Sequence, residues 1–178
     1  MRGKVKVLLA VCVVFALFVL GSPIFAQEKG GVGYFTTGVG WFLESGESSI
    51  VYSAGGGGHS ITNRWILGGE GHSSFGPDNA GGYGFLNVGY LLLREDLIMV
   101  YPLLGLGGGA MTSTIGSSVS KCALLNPAVA FDVLIPIKNS SGVLLGLHAG
   151  YTFTVYSNTF DWSMPYIRLV IGGYGFGE

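Results

Sequence analysis

From Gly142 to Tyr156 the chain reads Gly142-Val143-Leu144-Leu145-Gly146-Leu147-His148-Ala149-Gly150-Tyr151-Thr152-Phe153-Thr154-Val155-Tyr156. Every second residue gives one set, Val143, Leu145, Leu147, Ala149, Tyr151 and Phe153; the residues between them are Leu144, Gly146, His148, Gly150 and Thr152. A period of two is that of an extended strand, whose side chains point alternately to opposite faces. One face here is bulky and apolar. The other is small, with an occasional polar group.

Neighbouring stretches repeat this division. Within 122–135, Leu125, Pro127, Val129, Phe131, Val133 and Ile135 oppose Leu124, Asn126, Ala128, Ala130, Asp132 and Leu134. Within 164–176, Ile167, Leu169 and Ile171 oppose Arg168, Val170 and Gly172. Within 97–111, Ile98, Val100, Leu104 and Leu106 oppose Met99, Tyr101, Gly105, Gly107 and Gly109. A soluble barrel would turn the bulky face inward and leave a Gly- and Ala-rich wall, poor in charge, against water. The reverse arrangement is physically sensible: bulky residues face lipid, and small residues with sparse polar ones fill a narrow interior. A barrel of eight strands has an interior just wide enough to be filled by side chains.

Turn-rich gaps divide the chain into eight candidate strands near 31–43, 49–61, 65–73, 81–93, 97–111, 122–135, 142–156 and 164–176. These lengths meet or exceed the roughly 9–11 residues that an oblique strand needs to cross a bilayer. Short gaps (Thr62–Arg64, Arg94–Asp96, Pro136–Ser141) alternate with mostly longer ones (Glu44–Ser48, Ser74–Ala80, Thr112–Lys121, Ser157–Ser163). In an up-and-down sheet this puts tight turns at one end and loops at the other, the asymmetry of membrane barrels. Tyr34, Trp41, Phe42, Trp65, Tyr90, Tyr101, Tyr151, Phe153, Trp162, Tyr166, Tyr174 and Phe176 lie near expected strand ends and are expected to form two aromatic belts.

Composition agrees. Of 178 residues 32 are Gly, only 11% are charged and 49% are apolar, and the mean hydropathy is +0.54. Disorder requires low hydrophobicity and high charge, collagen requires Gly at every third position, and interior Gly weakens long helices. All three are excluded. Arg2, Lys4 and Lys6 precede an apolar run from Val7 to Leu20, and Ala26 offers a small residue before Gln27. That layout is a secretory signal peptide, so residues 1–26 are expected to be removed and residues 27–178 to form one β-barrel domain. Cys122 is then the one cysteine left, which excludes an internal disulfide. Six basic residues against ten acidic ones give a mature side-chain charge of −4, and with no basic stripe nucleic acid is not an expected partner.

The chain resembles the small eight-stranded outer-membrane β-barrel proteins, the OmpA/OmpX-type and OmpW-like barrels. The resemblance rests on the signal peptide, Gly81-Gly82-Tyr83-Gly84-Phe85-Leu86-Asn87-Val88-Gly89-Tyr90, Tyr101-Pro102-Leu103-Leu104-Gly105-Leu106-Gly107-Gly108-Gly109 and the closing strand Tyr166 to Phe176. It implies an exported chain inserted into the outer membrane by the assembly machinery there, with membrane lipid around it. The family's closing strand usually ends on an aromatic residue; here Phe176 is followed by Gly177 and Glu178. Pro102 and Pro127 lie inside expected strands, where each removes a ladder donor and is expected to need a bulge.

No catalytic, cofactor or metal site is expected. Gly105-Leu106-Gly107-Gly108-Gly109-Ala110 fits a nucleotide fingerprint, but that pattern needs a following helix, and none follows. His59, His72 and His148 fall on separate strands away from metal-ligand spacing, no G-x-S-x-G elbow is present, and the longer loops carry no His. Alternation instead places Glu70, His72, Asp132, His148 and Arg168 inside the barrel. Buried charges must pair, so a lumen polar network is expected, with Glu70 or Asp132 paired to Arg168. The expected function is a monomeric, non-enzymatic outer-membrane barrel with a mostly filled lumen and a structural or surface-interaction role, using loops 112–121 and 157–163 for contact. The alternatives are a narrow pore or small apolar-ligand pathway, a secreted soluble or self-assembling β-protein, and a lipid-modifying barrel enzyme.

Overall fold

The computed structural model describes residues 29–42, 49–77, 79–113, 119–158 and 161–177. The signal-peptide segment, and the parts of the expected contact loops at 114–118 and 159–160, lie outside the described residues. Among the described residues nine strands follow one another: β1 (Lys29–Phe42), β2 (Ser49–Thr62), β3 (Trp65–Phe75), β4 (Asn79–Tyr90), β5 (Leu93–Glu95), β6 (Ile98–Ser113), β7 (Val119–Lys138), β8 (Ser141–Ser157) and β9 (Met164–Gly177). Each main strand pairs antiparallel with its neighbours; β1 pairs with β9, and β4 with β6. The sheet therefore closes on itself as an eight-stranded antiparallel barrel, in which three-residue β5 prolongs the line of β4.

Connections at one end are tight. Asn63 and Arg64, both at positive φ (50° and 69°), join Thr62 to its register partner Trp65. Two such residues make the primed turn whose twist matches the flanking strands. Lys138 likewise pairs with Ser141 across a two-residue turn, and Asp96–Leu97 joins β5 to β6. Lys29 and Gly177, paired with each other, lie at this same turn end. At the opposite, loop end β1, β3, β6 and β8 finish and β2, β4, β7 and β9 begin.

Several strands outrun their sequence-based limits. The ladder continues to Phe75 and resumes at Asn79, and β7 runs through Pro136 to Lys138. The expected turn Arg94–Asp96 is mostly strand, because Leu93, Arg94 and Glu95 pair with Val100, Met99 and Ile98. Pro102 faces the break between β4 and β5. There the register passes from Gly89↔Leu103 to Leu93↔Val100, four residues against three, as in a bulge. Pro127 differs from expectation. The β7–β8 ladder stops after Leu125↔Phe153 and resumes in the same register at Ala128↔Gly150, so a gap rather than a bulge absorbs the missing donor.

The face division holds around the barrel. Phe35 (75%) and Leu86 (76%) are exposed on the outside, as are Leu106, Val129, Phe131, Leu147 and Leu169. Leu144, Asn126, Ala130, Asp132, Leu134, Arg168 and Val170 are buried inside. Leu125 is outward by parity yet buried; it pairs with Phe153, whose ring packs on Tyr151 at 4.5 Å. The aromatic expectation needs correction. Tyr34, Phe42, Tyr101, Trp162 and Tyr166 are buried core residues, while the exposed rings include Tyr52, Phe75 and Tyr156 toward the loop end and Trp65 at the turn end. Nearness to a strand end does not tell which face a ring occupies; parity does.

Candidate functional site

Two apolar clusters occupy the interior. Phe42, Val51, Tyr83, Phe85, Met111, Leu124, Trp162 and Met164 pack toward the loop end. Ile61, Ile66, Leu91, Met99, Tyr101, Leu103, Leu134 and Leu144 pack toward the turn end, with Val32 and Tyr34. Trp162, on the segment leading into β9, is fully buried, and its backbone N–H donates to Thr154 Oγ1 at 2.7 Å.

Among these clusters run the polar side chains. Glu70 and His72 face inward two residues apart on β3. Arg168 reaches from β9, with Nη1 3.3 Å from Glu70 Oε1 and 3.2 Å from His72 Nε2, while Nη2 donates to the Tyr83 hydroxyl at 3.1 Å. His72 Nε2 lies 3.4 Å from Glu70 Oε2. The guanidinium also stacks 3.9 Å over the Tyr166 ring. Arg168 thus has a carboxylate, an imidazole, a phenol and a ring face around it at 2% exposure, which is how a buried cation is kept.

Asp132 forms the second group. Its Oδ2 accepts from the Tyr101 hydroxyl at 2.5 Å, and Oδ1 lies 3.1 Å from His148 Nε2. Tyr34 links the two groups: its hydroxyl donates to Glu70 Oε2 at 3.2 Å and lies 3.1 Å from His59 Nε2, and its ring meets His148 edge-on at 5.8 Å. Asn87 Nδ2 stands 3.4 Å from the same His59 nitrogen. Of the two carboxylates the sequence left open for Arg168, Glu70 takes it; Asp132 pairs with His148 instead. Alternation set Tyr101 on the small, interior face, but identified neither His59 nor the phenols Tyr34 and Tyr83 as lumenal. The signal was present, since Val51, Ser53, His59 and Ile61 share one parity, but Gly55 to Gly58 interrupts the alternation of β2.

The glycines explain how this many side chains fit. In register, Gly57 faces Glu70, Gly55 faces His72 and Gly68 faces His59; Gly38 faces Arg168 and Gly146 faces Asp132. A Cβ at Gly146 would strike Asp132 Oδ1, and one at Gly68 would strike the His59 ring. Absence of a side chain on one strand is thus the room for a polar one on the next. Among the described residues no three of His, Cys, Asp and Glu gather as a metal-binding group. The arrangement is one of charge pairing within a packed interior, in which His59 Nδ1, His72 Nδ1, Asn126 Oδ1 and Arg168 Nε are buried without a hydrogen-bond partner.

No protein-family model matches the sequence, and a search of the curated proteins finds no match. Among solved structures the chain is similar to Neisserial surface protein A (NspA), with a TM-score of 0.60 and 13% identity over 82% of this chain and 96% of that one. Ail, the attachment invasion locus protein of Yersinia pestis, matches with a TM-score of 0.49 and 13% identity over 86% and 100% of the two chains. The fold is that of the small eight-stranded outer-membrane barrels.

Proposed function

We propose that the protein spans an outer membrane as a closed, monomeric barrel whose lumen is filled, and that it serves a structural or surface-interaction role without an enzymatic step. One observation carries the reading: the outer wall. Among the described outward positions of the main strands, the charged residues are Lys121 near the loop end and Lys29 and Lys138 at the turn end. Between them stand Phe35, Leu86, Leu106, Val129, Leu147 and Leu169, exposed and apolar. From Trp65 to Phe75, ten steps along β3, a strand at about 45° rises ~24 Å, the height of the apolar band of a membrane barrel. Water is a poor solvent for such a wall, and hydrocarbon is a good one.

Two-residue turns belong on the periplasmic side of membrane barrels and longer connections outside. This orientation turns the loop end, where β1, β3, β6 and β8 finish, to the cell's surroundings. The packed interior favours contact over transport: Arg168 pairs with Glu70 and Asp132 with His148, and apolar side chains pack toward both ends. Export through the expected signal peptide, delivery to the outer-membrane assembly machinery and solvation by its lipids follow from the same reading. The test is an epitope inserted within 114–118 and, separately, at Asn139–Ser140. Antibody added to intact cells labels the first and reaches the second only after the outer membrane is opened. Equal labelling of both, or of neither on intact cells, contradicts the orientation.

A further inference from the structure

We propose that the turn-end mouth of the barrel is a binding site for a small polyhydroxylated ligand, a sugar of one or two units. A cavity of about 580 Å³ opens there, within the roughly 300–1,000 Å³ span of small-molecule sites. Its floor is Leu134, which belongs to the turn-end apolar cluster against which Tyr174 and Phe176 pack. Those two rings line the cavity, 5.5 Å apart and tilted by 43°. Around them the rim brings Arg94, Glu95 and Asp96 from the β5–β6 hairpin and Asn139 from the β7–β8 turn.

A sugar has two kinds of surface: C–H faces that lie on aromatic rings, and hydroxyls that each donate and accept. The mouth offers a counterpart to both. Tyr174 supplies ring surface beside the Arg94-capped Phe176 ring, the Glu95 and Asp96 carboxylates accept, the edge of the Arg94 guanidinium donates, and the Asn139 amide does both. Charges of both signs share the rim, so a small ion of either sign meets its own charge there. A purely apolar ligand would strip water from a carboxylate and return nothing. The site is also held in shape. Arg94 stacks 3.9 Å over the Phe176 ring, and the Phe176 N–H donates to the Ser140 carbonyl at 2.7 Å. Three separate pieces of chain are thereby fixed around one bowl, which lowers the ordering cost of binding.

The experiment titrates the folded barrel, in a detergent without a sugar headgroup, with di-N-acetylchitobiose and separately with spermidine, read by calorimetry and ligand-observed NMR. Saturable sugar binding that weakens at least tenfold in the Asp96→Ala/Asn139→Ala double variant is the expected result. Both substitutions lie in turns, outside the barrel ladder. Tyr174→Leu, which keeps apolar bulk and removes the ring, is expected to weaken it similarly. No saturable sugar binding up to about 20 mM, binding unchanged in the turn double variant, or saturable binding of spermidine in place of the sugar would each overturn the proposal.

Discussion

The two walls of this barrel are cut from the same strands and obey opposite rules. On the outside, bulky residues such as Phe35, Leu86 and Leu169 need only be apolar, because they make few partners and face a fluid. On the inside, Glu70, His72, Asp132, His148 and Arg168 each meet a specific neighbour, and a glycine opens the space beside several of them. The outer wall is specified by type, and the inner wall by position. Substitutions should therefore be sharply graded by which wall they touch.

The steepest loss is expected from breaking the ion pair on one side. Arg168→Leu leaves Glu70 buried without its cation and should cost about 3–5 kcal/mol, read as a lowered urea midpoint of detergent-folded protein. The double variant Glu70→Leu/Arg168→Leu should recover a large part of that loss. If the single and double variants lose equally, the pair is not what the interior is built around.

Next comes a charge on the outer wall. Leu169→Arg, in the middle of β9, should lose about 2–4 kcal/mol in bilayers, the known cost of a midplane arginine on a membrane barrel. The same substitution would be nearly harmless were this face in water, so the value separates lipid from solvent.

A smaller effect is expected from one methyl group. Gly146→Ala collides with Asp132 and should cost about 1–3 kcal/mol by overpacking. Gly33→Ala, where a Cβ meets nothing within 4 Å, should stay within about 0.5 kcal/mol. Equal costs at the two positions would show that glycine is needed for sheet geometry generally and not as lumenal room. Least of all should respond Leu86→Ile on the exterior, near zero by the same unfolding measurement, since a fluid surface does not read side-chain shape.

The two walls also differ in how legible they were. Strand number follows from the turn-rich gaps, and face division from the alternation that the long bulky runs of β7, β8 and β9 display. The inner partners do not follow from one strand. Asp132 meets His148 because β7 and β8 pair Ala130 with His148, and no property of either segment alone fixes that register. His59 was hidden because four consecutive glycines in β2 carry no face information. Tyr34 read as a belt residue for want of a partner in view, and so did Tyr101 although its parity is that of the small face, yet their hydroxyls reach Glu70 and Asp132. The break between β4 and β5 was equally hidden, since Leu91, Leu92 and Leu93 look like one continuing strand.

The most direct test of the central claim, a closed barrel with its apolar wall in lipid, is gel mobility of the membrane fraction before and after boiling. The expected result is recovery with membranes and a heat-dependent change in apparent mass, because a closed ladder has no edge at which the gel's detergent can begin to unzip it. Recovery in the soluble fraction with one mobility at both temperatures would contradict it, and would make the bulky face a core rather than a surface.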